Sequence, residues 1–282
     1  MVTFPGNREL PSLGLGTWRM GESAARRKRE VAAVRAAIDM GWRVIDTAEM
    51  YGEGGAERVV GEALAAALRT GAVVRDELFV VSKVYPHNAG ARAAAAACER
   101  SLERLGLDHL DCYLLHWRGD VPLEETVEAF EHLRDRGRIR AWGVSNFDVA
   151  DMDELSCVAG GDRCATNQVY YSLSGRGPGF DLVPWLQQRG VVTMAYSPID
   201  QGALAANTAL AAIAERRGLS AAQLALAWLV AQPGVLAIPK ATGEAHLREN
   251  LAARDLVLDG AERAALDRAF PPPRRKTSLR MI

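Results

Sequence analysis

At 282 residues, with 49% hydrophobic side chains and a mean hydropathy of -0.07, the chain is long enough to bury a large core and reads as one domain over 1–282. A net charge of -1 gives no global attraction to nucleic acid or to an anionic membrane, so small molecules are the expected partners. The start, Met1-Val2-Thr3-Phe4-Pro5-Gly6, has no basic-then-apolar leader pattern, and no apolar run approaches the roughly 18 residues of a membrane span, which predicts a cytoplasmic protein. Cys98, Cys112, Cys157 and Cys164 form no C-x-x-C pair, so neither disulfides nor structural zinc are expected.

Phe4 to Leu10, with Pro5-Gly6-Asn7 as a turn, predicts a short N-terminal hairpin. Leu13-Gly14-Leu15-Gly16-Thr17-Trp18 follows as a first strand whose glycines admit close backbone contact. Val31, Val34 and Ile38 recur at helical spacing, so a helix runs from about Arg26 to Met40 and stops at Gly41. Arg43-Val44-Ile45-Asp46 is then a buried strand that ends in a carboxylate and spills into Thr47-Ala48-Glu49-Met50-Tyr51-Gly52.

The alternation continues with a helix near Gly55 to Arg69, a strand over Leu78 to Lys83, a helix near Ala89 to Leu105 and a strand from Leu110 to His116. Leu123, Val127 and Phe130 mark the next helix, before the strand Ile139 to Asn146. A short helix from Asp148 leads to Ala165-Thr166-Asn167-Gln168, and another near Phe180 to Arg189 leads to Val191 to Tyr196. Ser220-Ala221-Ala222-Gln223 is a capping box opening a helix to about Val230, followed by Val235 to Ile238 and a helix from about Gly243. Strand and helix alternate eight times without a linker, which predicts a (β/α)8 barrel rather than an open doubly wound sheet. The dinucleotide pattern of the open sheet is missing, because Gly14-Leu15-Gly16-Thr17-Trp18-Arg19-Met20 lacks the third glycine. Glycine-rich stretches at Ser172 to Gly179 and Ile199 to Asn207 are read as enlarged loops on the active face, and the proline-rich segment after Phe270 as a surface tail.

Strand ends converge at one mouth of a barrel, where barrels do their chemistry. Asp46, Lys83, His116, Asn146, Gln168 and Tyr196 each end a strand and together form a polar rim. Singly, a strand-end Asp is as well explained as a helix cap and a His as a satisfied core residue. Six such coincidences on one face favour a functional site. The histidines His87, His109, His132 and His246 do not pair with His116 at a ligand spacing, so no metal is expected.

These residues bring a resemblance into view. Asp46-Thr47-Ala48-Glu49-Met50-Tyr51-Gly52, Gly143-Val144-Ser145-Asn146-Phe147, Asn167-Gln168 and Ile238-Pro239-Lys240 resemble the aldo-keto reductase family over nearly the whole chain. Leu114-Leu115-His116-Trp117, Cys164-Ala165-Thr166-Asn167-Gln168 and Lys276-Thr277-Ser278-Leu279 are most similar to bacterial members that reduce methylglyoxal and small aldehydes. The resemblance implies a catalytic tetrad of Asp46, Tyr51, Lys83 and His116. Reducing a carbonyl with a nicotinamide hydride leaves an alkoxide, so Tyr51 would supply the proton. Lys83 would draw the Tyr51 pKa down from about 10, Asp46 would hold Lys83 charged, and His116 would orient the carbonyl.

The same comparison implies that Ser145, Asn146 and Gln168 bond the nicotinamide carboxamide, that Tyr196 stacks on its ring, and that Ser197, Ile199 and Gln201 cover the pyrophosphate. Thr17 and Trp18 join the cofactor side, and Lys240, Thr242, His246, Glu249 and Asn250 hold the adenosine end. Ala241 and His246 stand where the family usually has Ser or Thr and Arg, which weakens the 2′-phosphate site while Lys240 still favours NADPH over NADH. Trp18, Met50, Trp117 and Phe147 are candidates for the substrate wall, and a monomer is the expected state. The rival reading is a nicotinamide-binding redox sensor with little turnover.

Overall fold

The computed structural model describes all 282 residues. Two short strands, β1 (Val2–Phe4) and β2 (Arg8–Leu10), form an antiparallel hairpin in which Val2 faces Leu10. Eight further strands, β3 (Leu15–Gly16), β4 (Val44–Asp46), β5 (Phe79–Val84), β6 (Leu110–Leu115), β7 (Ile139–Ser145), β8 (Thr166–Tyr170), β9 (Val192–Tyr196) and β10 (Val235–Ala237), are parallel and ordered as in the sequence. The sheet closes on itself. Gly14 N donates to Ala237 O at 2.8 Å, Ala237 N to Ser12 O at 2.9 Å and Gly16 N to Pro239 O at 3.0 Å, so no edge is left open.

Helices alternate with these strands: α1 (Ala24–Asp39), α2 (Gly55–Arg69), α3 (Ala91–Leu105), α4 (Leu123–Asp135), α5 (Val149–Cys157) and α6 (Leu182–Gln188). After β9 come α7 (Thr208–Ala214) and α8 (Ala221–Val230), and after β10 come α9 (Glu244–Ala252) and α10 (Gly260–Ala269). The fold is the (β/α)8 barrel that the alternation predicts. The Ser220 capping box forms as expected, with Ser220 Oγ accepting from Gln223 N at 3.2 Å and Gln223 Oε1 accepting from Ser220 N at 3.0 Å.

Two parts of the sequence reading need correction. The first strand covers only Leu15–Gly16, because Thr17 already turns to bond the Asp46 carbonyl through its N–H at 3.1 Å and its hydroxyl at 2.9 Å. Helices α7 and α10 have no counterpart in the sequence reading. In α7 only Leu210 and Ala214 are buried, too few apolar anchors for a helical period to stand out, and its clearest signal is Asn207, whose side chain caps Leu210 N at 2.9 Å.

Alternate strand residues face opposite ways. One set, including Val44, Val81, Cys112, Leu114, Met194 and Leu236, fills the barrel interior, where the hairpin adds Val2, Phe4 and Leu10 as a plug. The other set, including Ile45, Val80, Tyr113 and Trp142, joins a far larger core between strands and helices. Two residues beyond Val44, Val81 and Leu114 along the same inward face stand Asp46, Lys83 and His116. The period of the strands therefore delivers these polar groups into the barrel mouth as a top layer above an apolar interior.

Candidate active site

Lys83 is fully buried, which an ammonium tolerates only with its donors satisfied. Its Nζ lies 2.8 and 2.9 Å from the two carboxylate oxygens of Asp46, 2.8 Å from Thr47 O and 3.1 Å from the Tyr51 hydroxyl. An ammonium has three protons and no lone pair, so Tyr51 Oη is an acceptor in this contact. The Tyr51 proton is thereby left free to point away from Lys83, into the cleft.

Burial, opposed by the Asp46 carboxylate, still draws the Lys83 pKa below its ordinary value. The expectation that Lys83 would pull Tyr51 down is not what the environment does. Burial first, and then the Asp46 charge, hold the Tyr51 hydroxyl well above its usual range, because a carboxylate 2.8 Å from the ammonium offsets it. The resting phenol is thus protonated.

His116 follows β6 and is nearly buried, with its ring 5.7 Å from that of Tyr51 in an edge arrangement. Burial, with the Lys83 charge second, pushes its pKa well below 6.5, so it is neutral at physiological pH. Its Nδ1 is buried with no partner. A neutral imidazole can donate one hydrogen bond to a carbonyl oxygen.

Around this base runs a cleft of about 350 Å³ lined by Trp18, Met50, Tyr51, His116 and Trp117 as well as Ser145, Asn146, Gln168, Tyr196, Ser197, Ile199, Gln201 and Lys240. The polar residues are already interlinked. Asn146, at a φ of 63°, donates to His116 O at 3.2 Å and accepts from the Tyr196 hydroxyl at 2.9 Å, while Ser145 Oγ donates to Gln168 O at 2.8 Å. Gln168 Nε2 is committed to Asp46 Oδ1 at 2.8 Å, so this amide also braces the Asp46–Lys83 pair.

Not every expected residue reaches the cleft. Phe147 is fully buried in the core between barrel and helices, and its carbonyl accepts from Asn167 Nδ2 at 2.8 Å, so it forms no substrate wall. The backbone turns left-handed at Asn146, which sends the next side chain inward. Thr17 is buried and spent on Asp46 O rather than facing the cleft. Thr242, His246, Glu249 and Asn250 lie on or just before α9 and do not line the cleft; His246 is exposed and Asn250 buried.

Conversely, the cleft includes Arg19, Met281 and Ile282, which sequence reasoning missed. Arg19 could have been found, since it follows Trp18 in the loop after the first barrel strand. Its guanidinium lies 4.3 Å over the Trp18 ring, and its backbone is left-handed at a φ of 63°. Nothing local in the sequence says that the tail returns to the mouth.

A nicotinamide dinucleotide suits this donor set: Arg19 and Lys240 offer cations to phosphates, Tyr196 an aromatic face, and Ser145 and Asn146 amide-bonding groups beside Tyr51 and His116. Comparisons with known proteins agree. The model of the aldo/keto reductase family matches residues 12–270. The chain belongs to the aldo/keto reductase family, and it is an NAD(P)H-dependent oxidoreductase. It is 52% identical to methylglyoxal reductase YeaE of Escherichia coli, over 100% of this chain and 99% of that one, and 36% identical to a glyoxal reductase of Bacillus subtilis over 92% and 88%. A crystal structure of an aldo/keto reductase from Klebsiella pneumoniae with NADP and acetate is 53% identical, covers 100% of this chain and 99% of its own, and superposes with a TM-score of 0.94.

Proposed function

We propose that this chain reduces small aldehydes, methylglyoxal among them, to alcohols with NADPH, and that Tyr51 is the general acid. The reading rests chiefly on the chain Asp46–Lys83–Tyr51, which leaves one protonated phenol at a cleft lined both by polar groups and by Trp18, Met50 and Trp117. When bound, NADPH would supply the hydride. The protein's own groups then do the rest: His116 orients the carbonyl oxygen, Tyr51 delivers its proton as negative charge develops there, and Lys83 stabilises the resulting phenolate.

Ser145, Asn146 and Tyr196 would hold the nicotinamide, and Ser197, Ile199 and Gln201 the pyrophosphate. Lys240 favours the 2′-phosphate, and Arg19 lies near enough for its charge to act on Lys240, which offsets the His246 that stands away from the cleft. Thr242, Glu249 and Asn250 would close on the adenosine end. The tetrad comes from one domain of one chain, which suits a monomer.

The test is the rate of nicotinamide oxidation with methylglyoxal, phenylglyoxal and a steroid ketone, each with NADPH and NADH. The reading expects turnover of the small aldehydes, a kcat/KM at least about tenfold higher with NADPH, which is about 1.4 kcal/mol, and poor use of the steroid. Preference for the steroid overturns the substrate class. Tight NADPH binding without turnover of any carbonyl puts the redox sensor in its place.

A further inference from the structure

Asp200 sits in the loop after β9, between the cleft residues Ile199 and Gln201. Both Asp200 and Gln201 are left-handed, with φ of 50° and 54°, a conformation that non-glycine residues hold only when their surroundings impose it. The surroundings here are three donors. The Tyr170 hydroxyl bonds Asp200 Oδ1, Ser174 Oγ donates to Oδ2 at 2.8 Å, and Arg280 Nη2 lies 3.2 Å from Oδ1. The Arg280 guanidinium also lies 4.5 Å over the Tyr170 ring, whose edge meets Tyr196 at 5.6 Å. Arg280 therefore touches the loop on the cofactor side and, through Tyr170, the aromatic face that would carry the nicotinamide. The next two residues, Met281 and Ile282, line the same cleft although each is more than half exposed.

We propose that Arg280 is a positioning residue. Its ion pair with Asp200 and its stacking on Tyr170 clasp the C-terminal tail to the loop over the cofactor, so that Met281 and Ile282 become a substrate-facing wall whose placement is coupled to cofactor binding. The inference rests on the cleft being the NADPH and aldehyde site. The tail is anchored upstream without Arg280, by Lys276 at 3.4 Å from Asp148 and 3.7 Å from Asp181 and by Leu279 against the core. Loss of the clasp consequently frees only the last residues. Arg280 is half exposed although Asp200 is largely buried, and an ion pair open to water on one side adds little to global stability, so its removal leaves the fold in place. Coupling of this kind is reciprocal: if the clasp helps the tail close, bound cofactor strengthens the clasp, and the clasp strengthens cofactor binding.

The experiment is a double-mutant cycle with Arg280→Gln, Asp200→Asn and the pair, reading NADPH Kd by fluorescence titration and steady-state kinetics with methylglyoxal. Each single substitution is expected to raise both Kd and KM about fivefold while kcat changes less than about twofold. The double variant is expected to fall well short of the product of the singles, because the Arg280–Asp200 ion pair is common to both. Single effects that multiply in the double variant, or singles that leave Kd and KM unchanged, overturn the proposal. Should wild type bind NADPH and reduce no aldehyde, the reductase reading fails and the Kd cycle alone decides the clasp. A wild type that does not bind NADPH overturns both.

Discussion

Lys83 has three protons and three partners, and the partner that matters most is the one that cannot be replaced. Without the Asp46 carboxylate, a fully buried ammonium keeps only Thr47 O and Tyr51 Oη. Asp46→Ala is thus expected to cost about 3–5 kcal/mol, the usual penalty for leaving half of a buried pair, and to drive Lys83 towards its neutral form. Urea unfolding of the variant checks this. A loss below about 1 kcal/mol would mean that the backbone and hydroxyl acceptors suffice.

His116 gives the residue scale its pH dependence. The folded protein holds the imidazole neutral well below 6.5, whereas the unfolded chain protonates near about 6.5. The unfolded state then binds the extra proton as pH falls below that value, so stability declines towards acid by up to about 1.4 kcal/mol per pH unit from this one group. Unfolding at pH 7.5, 6.5 and 5.5 should show a shallower decline in His116→Gln than in wild type. Equal slopes would place the proton elsewhere. The sequence made these residue types and their strand-end placement legible, since a period of two fixes which residues share the barrel mouth. It did not reveal the sign of the Tyr51 shift, which depends on burial and on how completely Asp46 offsets Lys83.

At the scale of elements, the turn after β4 decides whether Tyr51 meets Lys83. Gly52, Glu53 and Gly54 are all left-handed, at φ of 58°, 49° and 79°, and this curl folds the tyrosine back over the strand end before α2 begins. The curl is pinned by a close crossing at Gly55, where a Cβ would stand 2.3 Å from Gly21 O in the loop after β3. Neither backbone can yield without moving the other, so Gly55→Ala is expected to destabilise by about 1–3 kcal/mol, as overpacking does, and to lower kcat by displacing Tyr51. Thermal unfolding and turnover would be measured together; a variant with wild-type kcat would show that the crossing does not set the tyrosine. Single glycines in a loop are easy to see in a sequence, but the meeting of Gly21 with Gly55 across two loops is not. The same limit hides α7, with its two buried residues, and α10, while the strongly periodic α2 and α4 are plain.

Across the whole molecule, chemistry occupies one end of the barrel and stability the other. At the lower end the hairpin plugs the interior, Phe4 packs 4.8 Å from Phe79, and Arg8 pairs with the fully buried Asp111 at 2.6 Å beside Arg75 at 2.7 Å. Arg8→Ala leaves Asp111 with Arg75 and the Val80 amide, so about 1–3 kcal/mol should be lost with kcat and KM unchanged. A change in KM at full folding would mean that the two ends are coupled. Fold class was legible at this scale because eight alternations admit few closed solutions. The course of the tail was not, because its position depends on Lys276, Leu279 and Arg280 finding partners on distant loops rather than on any period of its own.

The central claim is that one phenol, held by Lys83 and Asp46, gives the carbonyl its proton. Tyr51→Phe keeps the ring and removes only that hydroxyl, and its NADPH Kd and methylglyoxal turnover would be measured beside wild type. The account predicts a Kd within about twofold of wild type and a kcat lower by about 10²–10⁴, the range of a lost general acid. A Tyr51→Phe variant that reduces methylglyoxal at the wild-type rate would contradict it.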